Sequence, residues 1–287
     1  MFLIERLRNY LGLVRFAHTV LALPFALISA LAAGHRIPEI RILGWILFCM
    51  VTARTGAMTF NRIVDRRIDC LNPRTQDRHL PTGQVTLMEA IGLWLVSSAL
   101  FILGAWMLNF LAFLLSFPAL VVICGYSFLK RYSALSHFVL GLSLGIAPIG
   151  AWIAVSGTLS WPPVILALGV LLWVAGFDII YALMDEEFDR RMGLQSLVVQ
   201  LGKERALWVA FISHLLSVAM VFLFGIQVGF GWIFFAGTIG YAALILYEHH
   251  LVDPNDVKRI NMAFFNVNGI ISIGLFLFAL ADVVMSR

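Results

Sequence analysis

Residues 162–181 read PPVILALGVLLWVAGFDIIY. They are twenty consecutive positions with a single charge, Asp178, near the far end. A run of about 20 apolar residues is what an α-helix needs to cross a hydrocarbon core of about 30 Å. Pro162 and Pro163 suit the first turn of such a helix, where their missing N–H groups cost nothing. Inside lipid each backbone polar group must be satisfied within its own segment or within a closed barrel. The run is continuously apolar rather than alternating, which selects the helix.

The rest of the chain repeats this pattern. Of its 287 residues, 61% are apolar and 13% are charged, where a soluble domain carries about 25% charged residues. Nine spans are expected, at about 16–34, 43–60, 86–107, 108–128, 135–155, 162–181, 206–226, 229–247 and 261–282. Only Met107-Leu-Asn109 separates the third from the fourth. The fold class is therefore all-α: a polytopic membrane protein, one transmembrane domain over residues 1–287 with no soluble appendage. Met1 to Arg15 is polar and basic and leads into a span, so no cleavable signal peptide is expected.

The net charge of +4 does not point to nucleic acid, because the basic residues sit in short loops between spans. Nine spans put the N-terminus and the loops after spans 2, 4, 6 and 8 on one side. That side holds sixteen Lys and Arg residues against three, Arg36, Arg41 and Arg287, on the other. The positive-inside rule makes it cytoplasmic, in a bacterial plasma membrane. Cys49, Cys70 and Cys124 have neither metal-site nor disulfide spacing, and the two within apolar spans read as packing residues.

Two connections, 61–85 and 185–205, are longer than a turn. Long loops in compact proteins are usually functional. The first opens with Asn61-Arg-Ile-Val-Asp65-Arg-Arg-Ile-Asp69, whose polar residues at four-residue spacing share a helix face. The second continues the stretch Asp178-Ile-Ile-Tyr181-Ala-Leu-Met-Asp185-Glu-Glu-Phe-Asp189, which begins within the sixth span and whose polar residues are read in the same way. Spans 2 and 6 end on the same side, so both motifs are expected at one mouth of the bundle. Four carboxylates there call for a cation, and Mg²⁺ fits as a hard ion held by one or two carboxylates plus substrate phosphates. Arg62, Arg66, Arg74, Arg78, Lys130 and Arg131 are basic partners for the remaining phosphate oxygens. A solvated, salt-bridged helix end is the plainer reading of either motif alone.

Two charges lie deeper: Arg54, seven residues before Asn61, and Asp178, seven before Asp185. Intramembrane charges face the bundle interior or a wet cavity and mark function by default; mutual pairing of the two is the structural alternative. His18 reads as a satisfied polar residue, and Asn266 and Asn268 as helix–helix contacts.

These residues resemble the UbiA superfamily of intramembrane aromatic prenyltransferases, particularly 4-hydroxybenzoate polyprenyltransferases, over nearly the whole chain. The resemblance is carried by Arg54 leading into Asn61…Asp65…Asp69, by Pro73-Arg74-Thr75…Arg78-His-Leu80-Pro81-Thr-Gly83, and by Tyr126-Ser-Phe-Leu-Lys130-Arg131. It is carried too by Asp178-x-x-Tyr181…Asp185-x-x-x-Asp189-x-x-x-Gly193-Leu-x-Ser196. It implies nine helices around a central cavity and Mg²⁺-dependent binding of a polyprenyl diphosphate. Asp65, Asp69, Asp185 and Asp189 are then the metal-side carboxylates. Arg54, Asn61, Arg78, Tyr126, Lys130, Asp178 and Tyr181 match positions that contact the diphosphate or a small aromatic acid. The ring proton would leave to Asp178 or to released diphosphate.

The chain departs from the family pattern at Arg62, where many members have Asp, at His79, where Pro is usual, and at Met184-Asp185-Glu186-Glu187. The Asn61-Arg62 pair is similar to members acting on naphthoate-type acceptors in menaquinone synthesis, so the acceptor stays open between the two. Haem O synthases share the first motif and lack the second. A cation-coupled transporter is the rival of another class; the acids crowd one mouth, whereas transporter sites lie near the midplane.

Overall fold

The computed structural model describes residues 10, 12–13, 21–253, 256 and 266–285. His18, Lys258, Arg259, the start of the first expected span and the start of the ninth lie outside the described residues. Among the described residues all regular structure is helical.

The helices are α1 (Leu23–Gly34), α2 (Ile40–Leu71), α3 (Leu87–Leu108), α4 (Phe110–Leu129), α5 (Ser136–Ser156) and α6 (Trp161–Ala182). A 3₁₀ turn, Leu183–Asp185, leads to α7 (Glu186–Met192), α8 (Leu197–Leu201), α9 (Lys203–Val228), α10 (Trp232–Leu251) and α11 (Asn268–Met285). Seven segments of the described residues are long and apolar enough to cross a membrane: α2, α3, α4, α5, the run Trp161–Met192, α9 and α11. The expected count was nine. The first expected span corresponds to α1, 12 residues long as described. The eighth corresponds to α10, whose end carries Glu248, His249 and His250. Exposed aromatic residues mark helix ends: Trp106 and Phe110 at the α3–α4 join, Trp161 and Trp232 at the starts of α6 and α10. The tryptophans, whose rings carry a polar N–H edge, favour interfacial depth.

Local chemistry accounts for the boundaries. Asn109, with extended backbone, ends α3, and its Oδ1 accepts the Ala112 N–H at 2.9 Å to start α4. One residue therefore suffices to separate the third and fourth expected spans. Thr86 and Glu89 close a reciprocal capping box at the start of α3.

The chain divides into two compact units, residues 1–19 with 43–128 and residues 20–42 with 129–287. The first holds most of α2 with α3 and α4. In it, Leu13, Val85 and Ala90 form a buried cluster flanked by Tyr10, Ile63, Leu80 and Leu93.

In the second unit α1 packs on α5, α5 on α6, α6 on α9, α9 on α10, α10 on α11, and α11 back on α1. Phe25, Trp173, Phe224 and Phe234 fill its core. Close helix approach depends on small residues. A Cβ at Gly141 of α5 would collide with the Leu171 carbonyl oxygen of α6, and one at Gly145 would lie 2.7 Å from that of Ala167.

Buried polar side chains tie the same helices together. Asn268 accepts from Trp173 Nε1 at 2.7 Å and donates to Glu248 Oε1 at 2.7 Å, which is the helix–helix role expected of it. His214 Nε2 donates to the Trp173 carbonyl at 3.0 Å, the only role that oxygen allows it. His214 Nδ1 therefore accepts from His249 Nε2 at 2.9 Å.

Candidate functional site

The first acidic motif belongs to the first unit. α2 runs unbroken from Ile40 to Leu71, so Asn61, Asp65 and Asp69 fall on one face, one turn apart. Asn61 Nδ2 donates to Asp65 Oδ2 at 3.1 Å and lies 3.4 Å from Ser127 Oγ on α4. Asp65 and Asp69 are buried, as is Arg62 one turn before Asp65. Buried carboxylates are strongly penalised unless compensated. Arg78 Nη1 donates to Asp69 Oδ1 at 2.7 Å, and Arg62 Nη1 lies 3.9 Å from Oδ2. Asp69 Oδ2 is buried and has no hydrogen-bond partner among the described residues.

The trailing loop brings Arg78 there. The Asn72 N–H donates to the Ile68 carbonyl at 3.2 Å, and Thr75 Oγ1 donates to the Asp69 carbonyl at 3.1 Å. Asn72 Oδ1 accepts the Arg74 N–H at 2.9 Å, which turns the chain back over the end of α2. His79, next in line, packs over Gly12, where a Cβ would meet its ring at 2.7 Å. Burial, then the charge of Arg62, hold its imidazole below the ordinary value of 6.5. Arg66 instead donates to its own helix, at the Ile63 carbonyl, 3.0 Å away.

Arg54 lies two turns deeper on α2. Its Nε is buried without a hydrogen-bond partner among the described residues. The Tyr126 phenol on α4 is near enough to interact with it electrostatically. A guanidinium with an unmade bond in an apolar setting is a seat for an anion.

The second motif belongs to the second unit and is not one helix. α6 stops at Ala182, the 3₁₀ turn intervenes, and Asp185 is the N-cap residue of α7. Asp178 and Tyr181 are thus on α6, Asp185 at the junction and Asp189 on α7. The tighter turn offsets the register, so the expectation of one uninterrupted α-helix does not hold past Ala182. Glu186 pairs with Arg190 at 2.9 Å and with Lys203 at 3.7 Å, and Glu187 with Arg191 at 3.3 Å. These pairs follow the dipole of α7, acids in its first turn and bases in its last.

Gly193 ends α7 with φ +67°, a left-handed conformation that favours glycine. The Leu194 N–H donates to the Asp189 carbonyl at 2.9 Å, completing a Schellman closure. Ser196 caps α8 by accepting the Val199 N–H at 3.2 Å. Gln195 N–H donates to the Lys130 carbonyl at 2.8 Å, which ties this loop to the turn after α4 that carries Lys130 and Arg131.

Asp178, for which the sequence offered Arg54 as a partner, is bonded to His137 of α5, Nδ1 to Oδ2 at 2.7 Å. His137 Nε2 accepts the Leu197 N–H at 3.4 Å. Sequence reading missed His137 and Ser127. His137 stood at the start of the fifth expected span, on the same membrane side as the end of the sixth, and that parity was its one signal.

Among the described residues no group of three or more His, Cys, Asp or Glu side chains is arranged around a metal position. Mg²⁺ does not require one, since phosphates and waters complete its shell. The orphaned, buried Asp69 Oδ2 between two guanidinium groups has the donor chemistry for a hard cation that arrives with a phosphate.

Comparison with known proteins agrees with this chemistry. Residues 22–270 match the UbiA prenyltransferase family. A 4-hydroxybenzoate octaprenyltransferase of Vibrio vulnificus is 30% identical over 282 residues, 95% of this chain and 98% of that protein. One from Salmonella newport is 32% identical over 238 residues, 82% of this chain and 81% of that protein. Among solved structures, the apo form of a UbiA homolog from Aeropyrum pernix K1 is 33% identical, with TM-score 0.84 over 92% of this chain and 98% of that one. A UbiA homolog from Archaeoglobus fulgidus bound to GPP and Mg²⁺ shares the fold at 21% identity, with TM-score 0.74 over 96% of this chain and 99% of that one. With its apolar spans, its two acidic motifs and a family match over most of its length, the chain belongs to the UbiA prenyltransferase family and is a membrane prenyltransferase.

Proposed function

We propose that this protein transfers a polyprenyl group from a polyprenyl diphosphate to a small aromatic acid of the 4-hydroxybenzoate kind, in a Mg²⁺-dependent step of respiratory quinone synthesis. The observation that carries the reading is Asp69, buried on α2, with Oδ1 held by Arg78 and Oδ2 left without a hydrogen bond. The relatives named 4-hydroxybenzoate octaprenyltransferase support the acceptor class. The Archaeoglobus fulgidus homolog bound to GPP and Mg²⁺ supports the metal.

In this reading Asp65, Asp69, Asp185 and Asp189 are the metal-side carboxylates. Bound Mg²⁺ would neutralise charge developing on the departing diphosphate. Arg62, Arg78, Lys130 and Arg131 take its remaining oxygens, and Asn61 orients Asp65. Arg54 receives the acceptor carboxylate. The allylic C–O bond breaks, a C–C bond forms to the ring, and the ring proton leaves to the released diphosphate or to Asp178. Tyr126 and Tyr181 face the allylic cation with their rings, worth about 2 kcal/mol when desolvated. The whole chain acts as one catalytic domain of nine spans around a central cavity, with the N-terminus and the acidic mouth cytoplasmic. The prenyl tail lies against apolar spans, where water that would quench the cation is excluded.

The second reading is the same chemistry on a naphthoate-type acceptor, favoured by Arg62 where many members carry Asp. Purified protein given labelled prenyl diphosphate and a panel of aromatic acids should form one prenylated lipid, lost in EDTA and in Asp69→Ala and Asp185→Ala. Full transfer in EDTA overturns the metal, product from a naphthoate alone selects the second reading, and no product from any acid ends both.

A further inference from the structure

The Asp178–His137 pair lies outside both carboxylate clusters assigned to the metal. Two distant backbone stretches shape it. Leu197 is the first residue of α8, and its N–H is one of the donors that a helix start leaves without an intrahelical partner. Ser196 satisfies the Val199 N–H, and His137 Nε2 takes that of Leu197. A backbone N–H can only donate, so Nε2 carries no proton and the imidazole is the neutral Nδ1–H tautomer. That proton points at Asp178 Oδ2, 2.7 Å away. His137 is buried, with 6% of its side chain exposed, while Asp178 keeps 25%. No other protein partner of the Asp178 carboxylate occurs among the described residues, so Oδ1 is available to a ligand.

We propose that His137 is a positioning residue for the acceptor: it pins Asp178 Oδ2 so that Oδ1 accepts a hydrogen bond from the ring hydroxyl of the aromatic acid. The bond draws the hydroxyl proton toward Asp178 and raises electron density at the adjacent ring carbon, where the prenyl group is received. Such a contact discriminates, because a site built around a substrate hydroxyl is left with an unpaired oxygen when the hydroxyl is missing. The inference rests on the transferase reading above.

The test compares His137→Leu, His137→Gln, Asp178→Asn and the double variant His137→Leu/Asp178→Asn, with KM measured separately for acceptor and prenyl diphosphate. Glutamine supplies one donor for Asp178 and one acceptor for Leu197. The expected result is an acceptor KM raised about tenfold in His137→Leu, the worth of one hydrogen bond to a charged group, with the diphosphate KM unchanged. His137→Gln should restore it, and the double variant should be no worse than Asp178→Asn alone. A diphosphate KM that rises in step, a His137→Gln as poor as His137→Leu, or multiplying losses in the double variant would reduce His137 to a brace for the loop before α8.

A second readout needs no turnover. With ¹⁵N-labelled histidine, the signal that disappears in His137→Gln should show the Nδ1–H tautomer and should move in Asp178→Asn. The Nε2–H tautomer overturns the proposal whatever the kinetics. Should wild-type protein prenylate no aromatic acid while this signature is present, the transferase reading has failed, and the positioning role with it.

Discussion

Asp69 shows how single residues are set against their surroundings. A carboxylate that deep costs several kcal/mol in desolvation, and a buried pair recovers this only with good geometry and further hydrogen bonds. Arg78 supplies one bond, and Arg62 supplies charge at 3.9 Å without a bond. The site is thus left partly unsatisfied at Oδ2. His79 feels the charge of the same Arg62. Its folded-state pKa is depressed, by burial first and by Arg62 second. Below about 6.5 the unfolded chain therefore binds more protons than the folded one, so the stability His79 contributes is present above that pH and lost as pH falls. Thermal unfolding in detergent should show a smaller drop between pH 7.5 and 5.5 for His79→Gln than for wild type; equal drops would exclude His79 as the source.

At the scale of elements, α5 and α6 carry the second unit, and their contact is made of backbone. Gly141 meets the Leu171 carbonyl with no room for a side chain. Overpacking of this sort typically costs about 1–3 kcal/mol, and here it would also shift His137 on α5 away from Asp178 on α6. Gly141→Val should lower the unfolding temperature and transfer together, whereas Gly150→Ala, on the same helix with open space at its Cβ, should leave both near wild type. Unchanged stability in Gly141→Val would mean that the two helices are not held by that contact. The break between α6 and α7 belongs to this scale as well. It places Asp185 at a helix start, so the i,i+4 spacing of the second motif does not lie on one uninterrupted α-helix.

For the whole molecule, the proposed orientation rests on the unequal distribution of Lys and Arg. Cys70 tests it: the residue is exposed at the end of α2, directly after Asp69. A membrane-impermeant maleimide should label it in inside-out vesicles and not in right-side-out ones, with Cys70→Ser abolishing the signal. Labelling from the outer face would reverse the proposed orientation and place the acidic motifs away from cytoplasmic diphosphates.

By itself the sequence determined the membrane class, the helical fold and most helix positions, because lipid leaves the backbone few choices and the cost of exposing polar groups is written in composition. The Asn109 boundary, the prolines opening α6 and the register of Asn61, Asp65 and Asp69 were readable for the same reason: each depends on neighbours in the chain. Tertiary structure alone decided that Arg78 folds back onto Asp69, that the second motif breaks at Leu183–Asp185, and that His137 takes up Asp178. Those outcomes depend on loop conformation and on partners up to 60 positions apart, as for His137 and Leu197, and local pattern carries no record of such distances.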